Sequence, residues 1–292
     1  MKRSMAAWWF VGPALIVLGV FFFVPVIGAL LMSLTDFDLY ALSDWRNLRF
    51  IGFHNYVTLL QDPLFWKSLW NTLYFVALGV PLSIGASLGA ALLVNSRLGR
   101  FRSFFRTVYF APVVTTLVAV AVVWRYIFHT RYGFLNYALS ALGIDPIDWM
   151  GDPHWAMPAI VILAVWKNFG YNMIILLAAL QNIPEDLYEA ARIDGASGWQ
   201  VFRHITIPGI APVLLLVSIL TMTGYFQLFA EPYVMTEGGP LQSTLSVLYF
   251  MYEEGFKWWS LGRASAVAFL LFVLMFLVTA LQLRLGRQRG DR

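Results

Sequence analysis

Apolar positions along this chain gather in six runs, at about Trp8–Met32, Ser68–Val94, Val108–Phe128, Ala156–Leu180, Ile210–Phe229 and Ala264–Leu283. Each approaches or exceeds the roughly 20 residues that a helix needs to cross the hydrocarbon of a bilayer. No water is available there to satisfy open backbone groups, so the runs predict helices. Pro13, Pro25, Pro81, Pro112 and Pro212 fall in or near them. In a soluble protein such prolines would argue against helix, whereas membrane helices tolerate them as kinks or starts. The expected fold is an all-α integral membrane protein with six transmembrane helices. Three outer segments, at about 33–67, 129–155 and 230–263, are too short for a large extramembrane domain. Neither a repeat nor a low-complexity linker divides the chain, so residues 1–292 read as a single membrane domain. The first run is too long for a signal-peptide core and reads as a retained span.

Composition agrees with lipid as the main solvent: 60% of residues are hydrophobic and 12% charged. A soluble domain carries about twice that charged fraction. The absence of Cys excludes disulfides, thiolate metal sites and cysteine nucleophiles, and the four His are too scattered for a metal cluster. A net charge of +4 would suit nucleic acid in a soluble protein, but here the basic residues are sided. Lys2, Arg3, Arg97, Arg100, Arg102, Arg106, Arg192, Arg203, Arg284, Arg287, Arg289 and Arg292 fall on one side of the spans, and 11 of the 16 acids on the other. Retention of Lys and Arg in the cytoplasm places both termini there, in a multi-pass protein whose partner is the bilayer and not nucleic acid. Trp8, Trp9, Trp66, Trp70, Trp124, Trp155, Trp258 and Trp259 cluster near span ends, as interfacial anchors do.

The inner loop between spans four and five, residues 183–208, has the most specific pattern. Pro184 suits a first helical turn, and Glu185, Asp186 and Glu189 lie near that helix's N-terminus, where its dipole favours acids. Gly195 can take φ > 0 and end the helix, Ser197 can cap a second one, and Pro208 opens the next membrane stretch. Leu187, Ala190, Ala191 and Asp194 lie close to one face. A short amphipathic helix with small residues is suited to docking in another protein's groove.

Glu189-Ala190-Ala191, then Gly195 after three residues, then Ile205-Thr206-Ile207-Pro208 after nine, resembles the signature of inner-membrane permeases of binding-protein-dependent ABC importers. Only the signature's Leu is changed, to Ile207. The likeness extends to Pro13, Pro25 and Ser33, to residues 51–56, to Asn71-Thr72, to Tyr171 through Pro184, and to Glu237-Gly238-Gly239-Pro240. These resemble the carbohydrate branch, without the long outer domain and extra N-terminal spans of its maltose-type member. The resemblance implies that Glu189, Ala190, Ala191, Asp194 and Gly195 form a cytoplasmic coupling helix seated in an ATPase subunit. It implies a second homologous permease, two ATPase subunits that bind ATP and Mg, an extracytoplasmic sugar-binding protein, and a sugar substrate. This chain has no Gly-x-x-x-x-Gly-Lys-Ser/Thr loop of its own, binds no cofactor or metal on this reading, and reads as a transporter subunit rather than an enzyme.

Lys167 stands near the middle of span four, where a charge costs roughly 2.5–3.5 kcal/mol. Two readings stay open: it pairs with an acid or carbonyl to hold structure, or it lines a path. Asn168, Gly170, Tyr171 and Asn172 follow it, and Thr221, Gly224, Tyr225 and Gln227 occupy the comparable stretch of span five. Polar groups with aromatics suit sugar hydroxyls and ring faces, and they equally suit helix–helix contact. The helical period places Lys167 and Tyr171 on one face and Asn168 and Asn172 on the next, so they are not all expected to face one cavity. Glu237-Gly238-Gly239-Pro240 is a turn, to which the resemblance adds contact with the binding protein. Two rivals fall away. An intramembrane serine protease built on Ser197 lacks a His within reach, because His204 lies about two turns along the same helix. A secondary transporter would need a coupling acid well inside a span, and the runs contain none.

Overall fold

The structure is a computed structural model that describes residues 2–96 and 102–290. Arg97, Arg100 and Arg292 of the basic set lie outside them, as do the side chains of Lys2, Arg3, Arg102, Arg287 and Arg289. In chain order the α-helices are α1 Lys2–Leu18, α2 Val24–Ser33, α3 Leu39–Ser43, α4 His54–Gln61, α5 Pro63–Asn95, α6 Arg102–Val114, α7 Leu117–Ile127 and α8 Phe134–Ser140. They continue with α9 Pro153–Gln181, α10 Glu185–Ile193, α11 Gly198–Val201, α12 Ile207–Phe226, α13 Ala230–Met235, α14 Val247–Tyr252 and α15 Leu261–Gly290. A π-helical turn over Gly19–Phe23 joins α1 to α2, and another over Phe202–Thr206 joins α11 to α12.

Among the described residues five stretches are long and apolar enough to cross a membrane: Trp8–Ser33, Pro63–Asn95, Pro153–Gln181, Gly198–Phe226 and Leu261–Gly286. The third apolar run departs from the straight span expected over 108–128. It forms α6 and α7, bent by 100° at the break between them. Pro112 lies inside the last turn of α6, where it donates no backbone hydrogen bond and crowds the turn before it. Thr115 then turns its hydroxyl back to the Pro112 carbonyl at 2.6 Å. A second departure lies in the segment 230–263, read as an outer loop. Its first part is the helix α13, whose Glu231, Pro232 and Met235 are buried.

The chain divides into two compact units, Met1–Trp66 with Phe250–Leu274, and Lys67–Tyr249 with Met275–Arg292. In the first, Asn55 is buried and its amide donates to the carbonyls of Ser33 and Thr35 at 2.9 and 2.8 Å, capping the end of the first span. Arg263 pairs with Asp62 and with Glu254 (3.4 Å), drawing the start of α15 to the residue that precedes α5. Burial raises the Glu254 carboxyl above the usual carboxylate range, and the Arg263 guanidinium opposes that rise.

In the second unit α5, α9 and α12 pack around Ala91, Val94, Met173, Leu176, Leu180, Ile210 and Val217. Helix α6 lies against α9 with Gly170 at the crossing, where an added Cβ would meet the Tyr109 carbonyl and Phe110 Cα. Small residues permit such close backbone approach between membrane helices. Gly170→Ala should therefore destabilise the protein by about 1–3 kcal/mol, the usual cost of overpacking. Gly89→Ala, in α5 with open space around the added methyl, should stabilise by about 0.5–1 kcal/mol. Thermal unfolding in detergent measures both; equal shifts would contradict the packing described.

Candidate functional site

Span four of the sequence reading is α9, a 29-residue helix whose first turn is capped by Asp152. Its polar residues meet those of α12 and α13 around one cavity of about 580 Å³. Lys167, Asn168, Tyr171 and Asn172 enter from α9, Thr221, Gly224 and Tyr225 from α12, and Gln227 just beyond it. Leu117, Leu228, Phe229 and Phe75 supply apolar wall. All four α9 side chains thus reach one space, against the expectation from helical faces. At about 100° per residue they span a sector of roughly 140°, and a cavity bounded by three elements is wide enough to include it. Gly170 is the exception, buried in the α6 crossing rather than lining the cavity.

The Lys167 ammonium settles on backbone. It donates to the Pro112 carbonyl at 2.7 Å and the Val113 carbonyl at 3.0 Å, two acceptors at the broken end of α6. A helix C-terminus carries partial negative charge on carbonyls that lack intrahelical donors, so a cation suits it. This is the carbonyl pairing that one of the two sequence readings expected, and the same residue also faces the cavity. Asn172 donates to Thr221 Oγ1 at 2.8 Å and ties α9 to α12. Tyr225 packs its ring at a tilt against Phe75, with centroids 5.0 Å apart, and sits where a Cβ on Gly79 would touch its ring.

The residue missed in the sequence is Glu231, buried and lining the same cavity. The sequence held one signal: an acid between Phe229 and Tyr233, followed by Pro232, in an otherwise apolar stretch. No apolar run includes it, so the sequence pattern places it in an outer segment. Burial raises its carboxyl above the usual range, opposed by its own backbone N–H and by the Lys167 ammonium.

The loop 183–208 has the local structure its residues imply. Pro184 stands at the N-cap of α10, and Gly195 ends it at φ +72°. The Ala196 N–H bonds the Ala191 carbonyl at 2.9 Å and the Asp194 N–H the Ala190 carbonyl at 3.0 Å. Ser197 and Gln200 form a reciprocal capping box at the start of α11, and Pro208 opens α12. Glu189, Ala190, Asp194 and Gly195 are exposed, Ala191 is half-buried, and the side chains of Leu187 and Ile193 project outward. Tyr188 approaches Thr206 at 3.3 Å, linking α10 to the foot of α12.

The turn 237–240 is anchored away from the cavity. Glu237 and Gly238 take φ of +51° and +80°, and the Gly239–Pro240 bond is cis. Thr244 closes the turn by donating to the Gly239 carbonyl at 2.8 Å. Asn71 on α5 donates to the carbonyls of Gln242 and Leu245 at 2.8 and 2.9 Å. Glu237 remains exposed.

Residues 69–290 match the family described as binding-protein-dependent transport system inner membrane component. The chain belongs to this family. It is a multi-pass permease subunit of an ABC importer, and the family supplies permeases rather than enzymes. The lactose transport system permease protein LacF of Rhizobium radiobacter is 38% identical over 99% of this chain and 97% of its own length. The trehalose/maltose transport system permease protein MalF of Thermococcus litoralis is 37% identical over 96% of this chain and 92% of its own. A chain of a bacterial ABC transporter involved in import of the acidic polysaccharide alginate shares the fold, with a TM-score of 0.83 at 24% identity, over 98% of this chain and 96% of that one.

A carboxyl whose folded pKa is raised contributes stability below its unfolded value, about 4.5, and loses it as pH rises through the folded value. Thermal stability of this permease should therefore fall with rising pH above about 4.5 in part through Glu231. Glu231→Gln should flatten that part of the profile. Identical slopes in the two proteins would show that Glu231 is not the group responsible.

Proposed function

We propose that this chain forms half of the translocation path of an ATP-driven importer for a disaccharide, oligosaccharide or related sugar. The cavity carries the reading: hydrogen-bonding side chains and two tyrosines gather beside spanning helices, where a sugar that has shed its water needs replacement partners. Tyrosine rings also suit the C–H faces of sugar rings. The relatives' names for lactose and for trehalose and maltose support the same class.

The remaining parts take roles around the cavity. Glu189, Ala190, Ala191, Asp194 and Gly195 present α10 to an ATPase subunit, and the Tyr188–Thr206 contact passes its motion to α12, whose far end carries Thr221 and Tyr225. The turn Glu237-Gly238-Gly239-Pro240 meets the binding protein. A second, homologous permease completes the path, two ATPase subunits hold ATP and Mg, and both termini face the cytoplasm of a bacterial-type inner membrane.

The test is reconstitution. Uptake of a cognate sugar into proteoliposomes should require the binding protein, the second permease and ATP together; uptake by this chain alone would overturn the reading. Within that assembly Gly195→Leu should uncouple. A side chain at φ +72° costs roughly 1 kcal/mol, too little to prevent insertion but enough to redirect α10. ATP hydrolysis should persist while uptake falls about fivefold or more, the factor to which roughly 1 kcal/mol corresponds. Normal uptake at normal expression would remove the role given to this loop.

A further inference from the structure

Between the first span and α5 the chain makes a charged excursion and then an uncharged helix. Asp36, Asp38, Asp44, Arg46 and Arg49 carry all the charge of residues 34–61, and residues 50–61 hold no Asp, Glu, Lys or Arg. An antiparallel bridge between Thr35 and Phe50 pinches off the excursion, with the Ile51 N–H on the Leu34 carbonyl at 2.9 Å. The chain is thus back at the level where the first span ends before α4 begins.

That level is held at both ends of α4. The Tyr56 hydroxyl lies 2.7 Å from Ser33 Oγ, beside the Asn55 bonds to the Ser33 and Thr35 carbonyls. Further along, the Trp66 indole N–H, in the first turn of α5, donates to the Leu60 carbonyl at 2.8 Å. The Trp66 ring stays exposed, as suits a boundary between bilayer and water. A helix of roughly 12 Å, tied at one end to the close of a span and at the other to the start of the next, runs along the membrane surface.

About its axis α4 has three sectors. Phe53, at the N-cap, Val57 and Leu60 fall within about 60° of one another, and all three are exposed. His54 and Gln61 lie roughly 90° to one side and are exposed as well. Asn55 and Leu59 are on the far side and buried. One sector therefore meets protein, one is apolar and open, and one is polar and open.

We propose that α4 is an in-plane membrane helix at the boundary of headgroups and acyl chains, on the face of the bilayer where the first span ends. Phe53, Val57 and Leu60 enter the acyl region, and His54 and Gln61 stay in the headgroup layer. Separate apolar and polar stripes on one helix suit this layer. Ile27, Leu30 and Leu31 of the first span are exposed too, so apolar exposure continues from the span to α4. A docked protein would cover the apolar stripe, but it gives no reason for a polar stripe at right angles or for the absence of charge over residues 50–61. Lipid accounts for both, since the acyl boundary resists charge and headgroup water accepts the polar edge. Hydrogen bonds to the span ends set the depth of α4, in place of Lys and Arg on its polar face. The inference is independent of the substrate.

The chain has no Cys, so spin labels can be placed singly. Phe53→Cys, Val57→Cys and Leu60→Cys probe the apolar stripe, and His54→Cys and Gln61→Cys the polar one. Each is reconstituted with the partner subunits in lipid nanodiscs. Collision with oxygen, which concentrates in hydrocarbon, and with a water-soluble nickel chelate reports depth. The nickel rate at 53, 57 and 60 should be at least about tenfold below that at 54 and 61, because a polar chelate is costly to move out of water. The oxygen rate should be higher at the same three positions. Similar nickel rates on both stripes would put the apolar stripe in water and overturn the inference. Low rates of both reagents at 57 and 60 would also overturn it, by assigning the stripe to another protein chain. The unsubstituted complex gives a second measurement. A phospholipid with a diazirine near the glycerol end of its acyl chain should label the peptide from Phe53 to Leu60 on illumination. Labelling of the first span without this peptide would overturn the inference, whatever the spin labels report.

Discussion

A backbone carbonyl released from a helix inside a membrane must find a donor, and Lys167 supplies it to two carbonyls at once. Its ammonium on Pro112 and Val113 lets the third span break by 100° instead of running straight. The break decides much else. It ends α6 beside α9, brings Leu117 at the start of α7 to the cavity wall, and leaves room for α13 to carry Glu231 into the same space. The charge of Lys167 is costly in hydrocarbon, and its two charge-assisted hydrogen bonds offset that cost. The arrangement matches the general rule that irregular backbone at membrane depth occurs where it lines a cavity.

Sequence pattern carried the straight parts of the fold well because they depend on one variable, the length of an apolar run. The spans of α5, α9 and α12 lie where the runs are. The end of α10 was legible for a different reason: Gly195, Ser197 and Pro208 each state a local backbone preference that neighbours need not complete. The break at Thr115 was not legible, although Pro112 was visible, because a proline marks a kink and a full stop alike. What separates them is a donor 55 residues away in sequence. Glu231 was lost for a related reason. Its burial depends on α13 folding back, and an acid next to Pro232 outside any run has the sequence signature of a loop.

The polar and small residues of α9 and α12 divide between two places in the structure. Asn168, Tyr171, Asn172, Thr221, Tyr225 and Gln227 converge, whereas Gly170 serves the crossing of α6 and α9. Both kinds of residue are small or polar and look alike in a sequence of membrane helices, where hydrogen-bonding groups serve packing and transport equally. Their separation needed the position of α6. Coupling, in this account, runs along rigid elements: α10 to Thr206, then α12 to Thr221, whose hydroxyl accepts from Asn172 on α9. Under the proposed function, a displacement at the exposed loop would reach the cavity lining through two hydrogen bonds and one helix.

The central claim is that Lys167 holds the broken span in the shape that forms the cavity. Spin labels on cysteines at Phe104 in α6 and Val122 in α7, both exposed, report the angle between the two half-helices. Pulsed dipolar spectroscopy should give one narrow distance distribution with Lys167 in place. In Lys167→Met the distribution should broaden or shift towards the longer separation of a straighter helix, and Lys167→Arg should largely restore it. An unchanged narrow distribution in Lys167→Met would contradict the account, since the bend would then be held by something other than the buried ammonium.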